Sequence, residues 1–163
     1  MKNLLINIGK RSKKAFTNKL SSKKKDKVLK DYYHLINKNR KLIINENKKD
    51  IKNAIKKGIE DNLINRLILD DKKISNIISS VKNIIKLKDP TNKVLEKWKR
   101  PNGLNISKVS IPIGIIGIIY ESRPNVTSDV ASLCFKSGNT VILKGGTEAF
   151  NSNLILSKLF RKS

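Results

Sequence analysis

The sequence predicts an α/β fold: an N-terminal helical region, then a β-hairpin, then the first two strand–helix units of a Rossmann-like domain left incomplete within 163 residues. Three observations carry this expectation. Apolar residues recur at three- and four-residue steps up to about residue 90, and the period then changes to strand-like runs. Two of those runs are each followed, after a short joint, by a helical pattern, which is the βαβ rhythm of a parallel sheet. The expected divisions are residues 1–90 (helical), 91–110 (hairpin) and 111–163 (start of the Rossmann-like domain).

Ser21 and Ser22 stand where a helix N-cap belongs. Val28, Leu29, Tyr32, Leu35, Ile36, Leu42 and Ile43 then fall on one face of the predicted helix. A second helix is expected around residues 49–57, with Ile51, Ala54 and Ile55 on its apolar face and Gly58 as a left-handed stop. Residues 63–69 give a short helix. Asp70 and Asp71 open another, where their charge suits the helix dipole. Ile74, Ile77, Ile78, Val81, Ile84 and Ile85 keep in register until Asp89 and Pro90. The first twenty residues, Met1 to Leu20, are amphipathic, Lys-rich and free of acid. A first helix of the domain accounts for them; a transit peptide is a weaker match, because Arg is not enriched.

After residue 90, Val94 to Lys99 partly alternates, Pro101-Asn102-Gly103 supplies a turn, and Leu104, Ile106 and Val109 continue an extended run, so a β-hairpin is predicted. Residues 111–121 form a near-continuous β-branched strand of the kind buried on both faces of a parallel sheet. Gly114 and Gly117 within it are expected to permit close packing. Thr127 or Ser128 is expected to cap a helix carrying Val130, Ala131, Leu133 and Cys134 and ending near Gly138. A short strand from Val141, a Gly145-Gly146 turn and a helix with Leu154, Ile155 and Leu159 complete the pattern.

Composition narrows the function classes. One Cys and one His exclude a disulfide framework and zinc sites built on several thiolates, so no metal is expected. His34 lies between Tyr33 and Leu35 with no catalytic partner in its pattern and reads as structural. The longest apolar stretch, 111–120, is interrupted by Pro112, Gly114 and Gly117 and falls short of the ~20 residues a membrane span needs. A cytoplasmic protein is expected. The net charge of +23 suggests a polyanion surface, yet Lys, Ile and Asn are abundant together, as a strongly AT-biased coding sequence would make them, and Lys far outnumbers Arg. The charge is concentrated before residue 100, so the chemistry of the second half is not that of a basic patch, and no specific nucleic-acid partner and no membrane are expected for the chain.

In an open α/β sheet, ligands sit beyond the carboxyl ends of the strands. Here those ends read Glu121-Ser122-Arg123-Pro124-Asn125 and Lys144-Gly145-Gly146-Thr147-Glu148. Glycines let backbone approach a phosphate or ribose, and a Lys beside them offers a point charge. The fingerprint G-x-G-x-x-G is absent, so spacing alone specifies a nucleotide-type α/β fragment with no defined ligand.

The run Ile111-Pro-Ile-Gly-Ile-Ile-Gly-Ile-Ile-Tyr-Glu-Ser-Arg-Pro-Asn-Val-Thr127 is continued by Ser132-Leu-Cys-Phe-Lys-Ser-Gly-Asn139 and Val141-Ile-Leu-Lys-Gly-Gly146. Together these closely resemble γ-glutamyl phosphate reductases (glutamate-5-semialdehyde dehydrogenases), of the aldehyde dehydrogenase superfamily. A weaker likeness over Leu20-Ser-Ser, residues 45–50 and Asp89-Pro90 extends it across nearly the whole chain, as the N-terminal part, less than half, of a family-length enzyme.

The resemblance implies an NAD(P)-binding domain and NADPH-dependent reduction of L-glutamate 5-phosphate to the semialdehyde in proline biosynthesis, through a Cys thioester. It also implies a homo-oligomer, with the hairpin resembling oligomerisation strands. By the same resemblance Asn125 donates its amide to the developing oxyanion, and Lys144 holds the adenosine ribose or its 2′-phosphate, with Gly145, Gly146 and Thr147 beside it. Thr147 stands where NAD-preferring relatives commonly carry an acid, which favours NADPH. Arg123 is expected either to meet a substrate carboxylate or phosphate or to pair with Glu121. Cys134 lies mid-helix and reads as structural, so the family's nucleophile is not among these residues. The expectation is therefore a truncated form, inactive alone. A non-catalytic remnant and a basic polyanion-binding module remain as other readings.

Overall fold

Ser21 caps the second helix of the protein by accepting a hydrogen bond from the Lys24 N–H, and the main stop of that helix is Asn39, whose backbone and side-chain amides both turn back to the Leu35 carbonyl. The computed structural model describes residues 2–163; Met1 lies outside the described residues. Five helices come first: α1 (Lys2–Thr17), α2 (Ser22–Lys38), α3 (Arg40–Lys56), α4 (Asp61–Leu67) and α5 (Asp71–Lys86). The single face expected from Val28 to Ile43 is thus divided between two helices at Asn39. Leu29, Tyr32, Ile36 and Ile43 are buried, while Leu42 is turned out to solvent by the break. The helix expected at 49–57 is the second half of α3, and Gly58 after it adopts φ +66°.

Asp70 caps α5 through the Lys73 N–H at 2.6 Å, and its apolar stripe is buried as the spacing predicts, from Ile74 to Ile84. Leu87 already leaves the helix, ahead of Asp89 and Pro90.

The hairpin pairs β1 (Val94–Lys99) with β2 (Asn105–Val109), Trp98 opposite Ile106, with a bulge near Val94. All of β1 is exposed, including Leu95 and Trp98. The base of the hairpin is anchored inward. Lys25, almost fully buried, donates from Nζ to Asp89 at 2.8 Å and to the Lys136 carbonyl at 3.2 Å, and buried Lys136 pairs with Asp26. Gly138 adopts φ +72° there, and a Cβ on it would stand 3.1 Å from Thr91 and 3.2 Å from Pro112, the two feet of the hairpin.

Strand β3 (Ile115–Tyr120) runs parallel to β4 (Thr140–Gly145), Tyr120 opposite Gly145, with α6 (Pro124–Lys136) crossing between them. The βαβ expectation is met, but three details differ. The strand starts only at Ile115, since Pro112 offers no N–H and Gly114, at φ +125°, gives its own to the Asn139 side chain. Its residues alternate in burial, with Ile119 77% exposed, so the strand is not buried on both faces. A Cβ at Gly114 or Gly117 would meet nothing within 4 Å, so close packing is not their role; Gly114 is required by its positive φ, and nothing in the structure explains Gly117. Helix α6 also begins earlier than expected. Pro124 is its first residue, and Thr127 and Ser128, expected as caps, lie inside it and buried.

A short 3-10 turn (Thr147–Ala149) leads into α7 (Phe150–Lys162). Leu156 and Leu159 of α7 join Leu29, Tyr32, Ile36, Ile43 and the α5 stripe in one core. The helical region and the βαβ unit are therefore packed together rather than separately.

Candidate active site

The parallel register ends β3 and β4 at the same level, so the segments after Tyr120 and after Gly145 leave the sheet side by side. This is the carboxyl edge at which ligands bind in open α/β sheets. Ser122 turns the chain from β3 toward α6 with φ +39°, an uncommon value for a residue with a side chain, and it is buried. Its N–H donates to Glu148 Oε1 at 2.6 Å and its hydroxyl donates to the same oxygen at 3.1 Å. Glu148 thereby ties the two strand-end segments together. Burial alone would raise the Glu148 carboxyl. Hydrogen bonds from its own backbone and from Ser122, with the charge of Lys144, outweigh that and hold it below its ordinary range.

Both glycines of the turn serve this arrangement. A Cβ on Gly146 would fall 2.0 Å from Glu148 Oε1, and one on Gly145 would fall 2.2 Å from Asn153 Nδ2 and 3.1 Å from the Tyr120 ring. The space that the sequence reserves for a ligand is thus already used, in part, by side chains of the chain itself. Below the turn the Tyr120 hydroxyl donates to Thr127 Oγ1 at 2.5 Å, and Thr127 donates to Asn153 Oδ1 at 2.9 Å. Burial pushes the Tyr120 phenol up, farther from ionisation than an ordinary tyrosine.

Asn125 is the second residue of α6 and is half-buried. Its Nδ2 donates to Asp129 Oδ2 one turn on, at 3.2 Å. Arg123 precedes α6, is exposed and forms no ion pair with Glu121. Lys144 and Thr147 are exposed at the other side of the edge. The structure therefore brings the two predicted clusters, 123–125 and 144–147, to one end of one sheet. Sequence reasoning placed Glu148 at the strand end but not its bond to Ser122, and it missed Asn153 and Asp129. Of these two, Asp129 had a readable signal, its helical i,i+4 spacing from Asn125.

Two other places are accounted for by internal contacts. The N-terminus of α7, a natural anion site, is taken by buried Asp50 of α3, which accepts from the Asn151 and Ser152 N–H groups at 3.0 and 2.7 Å. Cys134 is 7% exposed on α6, and burial pushes its thiol up, the opposite of an activated nucleophile. Among the described residues no group of three or more His, Cys, Asp or Glu could hold a metal ion, and no helix is long and apolar enough to cross a membrane.

The fold defines a class: an α/β chain with the fold of the aldehyde dehydrogenases. A Bacillus subtilis structure described as an aldehyde dehydrogenase matches with a TM-score of 0.68 over 97% of this chain and 33% of its own, at 17% identity, a likeness of fold alone. Closer relatives narrow the class. The γ-glutamyl phosphate reductase of Clostridium tetani is 42% identical over 161 residues, 98% of this chain and 38% of that protein. The crystal structure of γ-glutamyl phosphate reductase from Thermotoga maritima matches with a TM-score of 0.93 at 39% identity, over 97% of this chain and 39% of its own. The scan against family models matches none. The chain belongs to the γ-glutamyl phosphate reductase family, resembling its N-terminal part, and it spans well under half the length of these relatives.

Proposed function

We propose that this chain forms the oxyanion- and cofactor-facing part of an oxidoreductase of proline biosynthesis that reduces L-glutamate 5-phosphate to L-glutamate 5-semialdehyde and phosphate, with NADPH. The observation that carries the reading is Asn125: a half-buried carboxamide in the first turn of α6, at the carboxyl edge of the sheet, within a string that resembles those of the reductases. An amide fixed there before reaction stabilises charge as it develops on the acyl oxygen.

The donor set across the edge suits NADPH. Lys144 offers an exposed ammonium to a ribose or its 2′-phosphate, and Thr147 offers a hydroxyl. Glu148, the acid nearest the turn, is committed to Ser122, which leaves Lys144 as the charge facing outward and favours a 2′-phosphate over a bare diol. NADPH, when bound, supplies the hydride. Gly145 and Gly146 contribute by keeping the turn low, and Arg123 is free to meet the substrate's carboxylate or phosphate. The nucleophile in this reading is a cysteine other than Cys134, on a longer or a second polypeptide. The exposed apolar side chains of the hairpin, Leu95 and Trp98, support a homo-oligomer.

The test joins this chain to the remaining length of the Thermotoga maritima reductase and follows phosphate-dependent formation of NADPH from the semialdehyde, the direction that avoids the labile acyl phosphate. The joined enzyme is expected to turn over. Asn125→Ala lowers kcat roughly 10²- to 10³-fold, and Lys144→Ala raises KM for NADP⁺ roughly tenfold with kcat unchanged. An inactive enzyme, or an Asn125→Ala variant as fast as the parent, overturns the reading.

A further inference from the structure

We infer that Asp129 is the positioning residue for the Asn125 carboxamide, itself held by Ser80 from the helical region. The inference rests on the proposed role of Asn125 as an oxyanion donor and adds the means by which its amide is aimed.

A carboxamide at the end of a short side chain rotates through a broad, nearly two-fold torsion, so nothing intrinsic decides whether its nitrogen or its oxygen faces a given direction. An oxyanion donor needs that decision made before the charge develops, since reorientation during reaction would cost part of the stabilisation. Asp129 makes it. An ionised carboxylate only accepts hydrogen bonds, so the Asn125 oxygen is excluded from the side that Asp129 occupies. The nitrogen stands there, 3.2 Å from Asp129 Oδ2. One of its two N–H groups is used in that bond, and the other is left with a fixed direction.

The carboxylate is fixed in turn. Its second oxygen, Oδ1, accepts from the Ser80 hydroxyl of α5 at 2.8 Å. Ser80 precedes Val81, a fully buried residue of the α5 stripe, so the hydroxyl comes from a rigid helix packed on α6. The order Ser80, Asp129, Asn125 spans from the helical region to the strand-end site. It gives the polar Asp129, half-buried on α6, a purpose that interhelical packing alone does not require. An isolated α5–α6 hydrogen bond could be made by one oxygen; here both oxygens are engaged, one toward the scaffold and one toward the amide.

A double-mutant cycle in the joined enzyme separates positioning from simple support of the fold. Asp129→Ala is expected to lower kcat roughly 10- to 100-fold, with the dissociation constant for NADPH, read by its fluorescence, unchanged. In the Asn125→Ala background the same substitution is expected to cost nothing further. Asp129→Asn offers one acceptor oxygen for two donors and an N–H that can hold the Asn125 oxygen instead, so it is expected to lose kcat nearly as Asp129→Ala does, and Ser80→Ala gives a smaller loss of the same kind. An equal fall in kcat in both backgrounds, or weaker NADPH binding in step with kcat, overturns the positioning role and marks Asp129 as structural. A parent that is inactive, or an Asn125→Ala variant without effect, removes the proposed function and this inference with it.

Discussion

The junction of α3 with α7 and the strand-end site both set a carboxylate against backbone N–H groups, and they differ in everything around it. Asp50 is 2% exposed, and each of its oxygens accepts one N–H of α7 and one side-chain group, from Asn151 or Ser152. Asn47 completes that junction by bonding the Leu67 carbonyl, the Leu69 N–H and Ser152. Glu148 is only half-buried, meets Ser122 through one oxygen, and faces the outward charge of Lys144. A closed, saturated carboxylate fixes helices to each other. An open, half-used one holds a loop while leaving room beside it, which is the form expected where a ligand has to enter.

The comparison can be broken most forcefully at Asp50. Replacing it with Ala strands two buried N–H groups and two side chains, and a loss of about 3 kcal/mol in urea unfolding is expected. A loss no greater than that of Glu148→Gln would show that the two sites carry similar weight after all. Gly145→Ala comes next. Its Cβ would meet Asn153 and the Tyr120 ring, so Asn153 must swing away from Thr127, at about 2 kcal/mol, and unfolding at unchanged pH reads it.

Glu148→Gln is the smallest in magnitude, under about 1 kcal/mol at neutral pH, because an amide oxygen still accepts from Ser122. Its signature is the pH profile. The folded carboxyl lies below the ordinary value of 4.5, so its contribution is fully present above pH 4.5 and is lost as pH falls through the depressed folded value. The parent therefore loses acid stability that Glu148→Gln does not. Gly146→Ala, which displaces the same carboxylate, should erase the same step. Parallel acid profiles for parent and Glu148→Gln would mean that the Ser122 bond does not hold in solution.

Much of the fold was readable because local rules and packing agree in it. The α5 stripe is regular and capped by Asp70, so its period alone gives both its face and its start. The Asn39 break was not readable, since residues on either side keep a helical period and only the turn back of the Asn39 amides shows where the axis changes. At the candidate site, the string from Tyr120 to Asn125 lies at the carboxyl edge of the sheet, where the βαβ pattern puts it. The sequence places Thr127 as a cap, whereas Pro124 starts the helix and Thr127 joins the floor beneath the turn.

By itself the sequence determined the helical region, the βαβ order and the residue types at the strand ends, because these depend on periodicity and on neighbours along the chain. Which groups meet was decided only by the tertiary structure. Gly145 and Gly146 looked like open space for a ligand and are also the space that Asn153 and Glu148 fill, and Asp129 gained its partner from Ser80, 49 residues away. Contacts of that kind arise from how α5, α6 and β4 are stacked, and no local propensity encodes them.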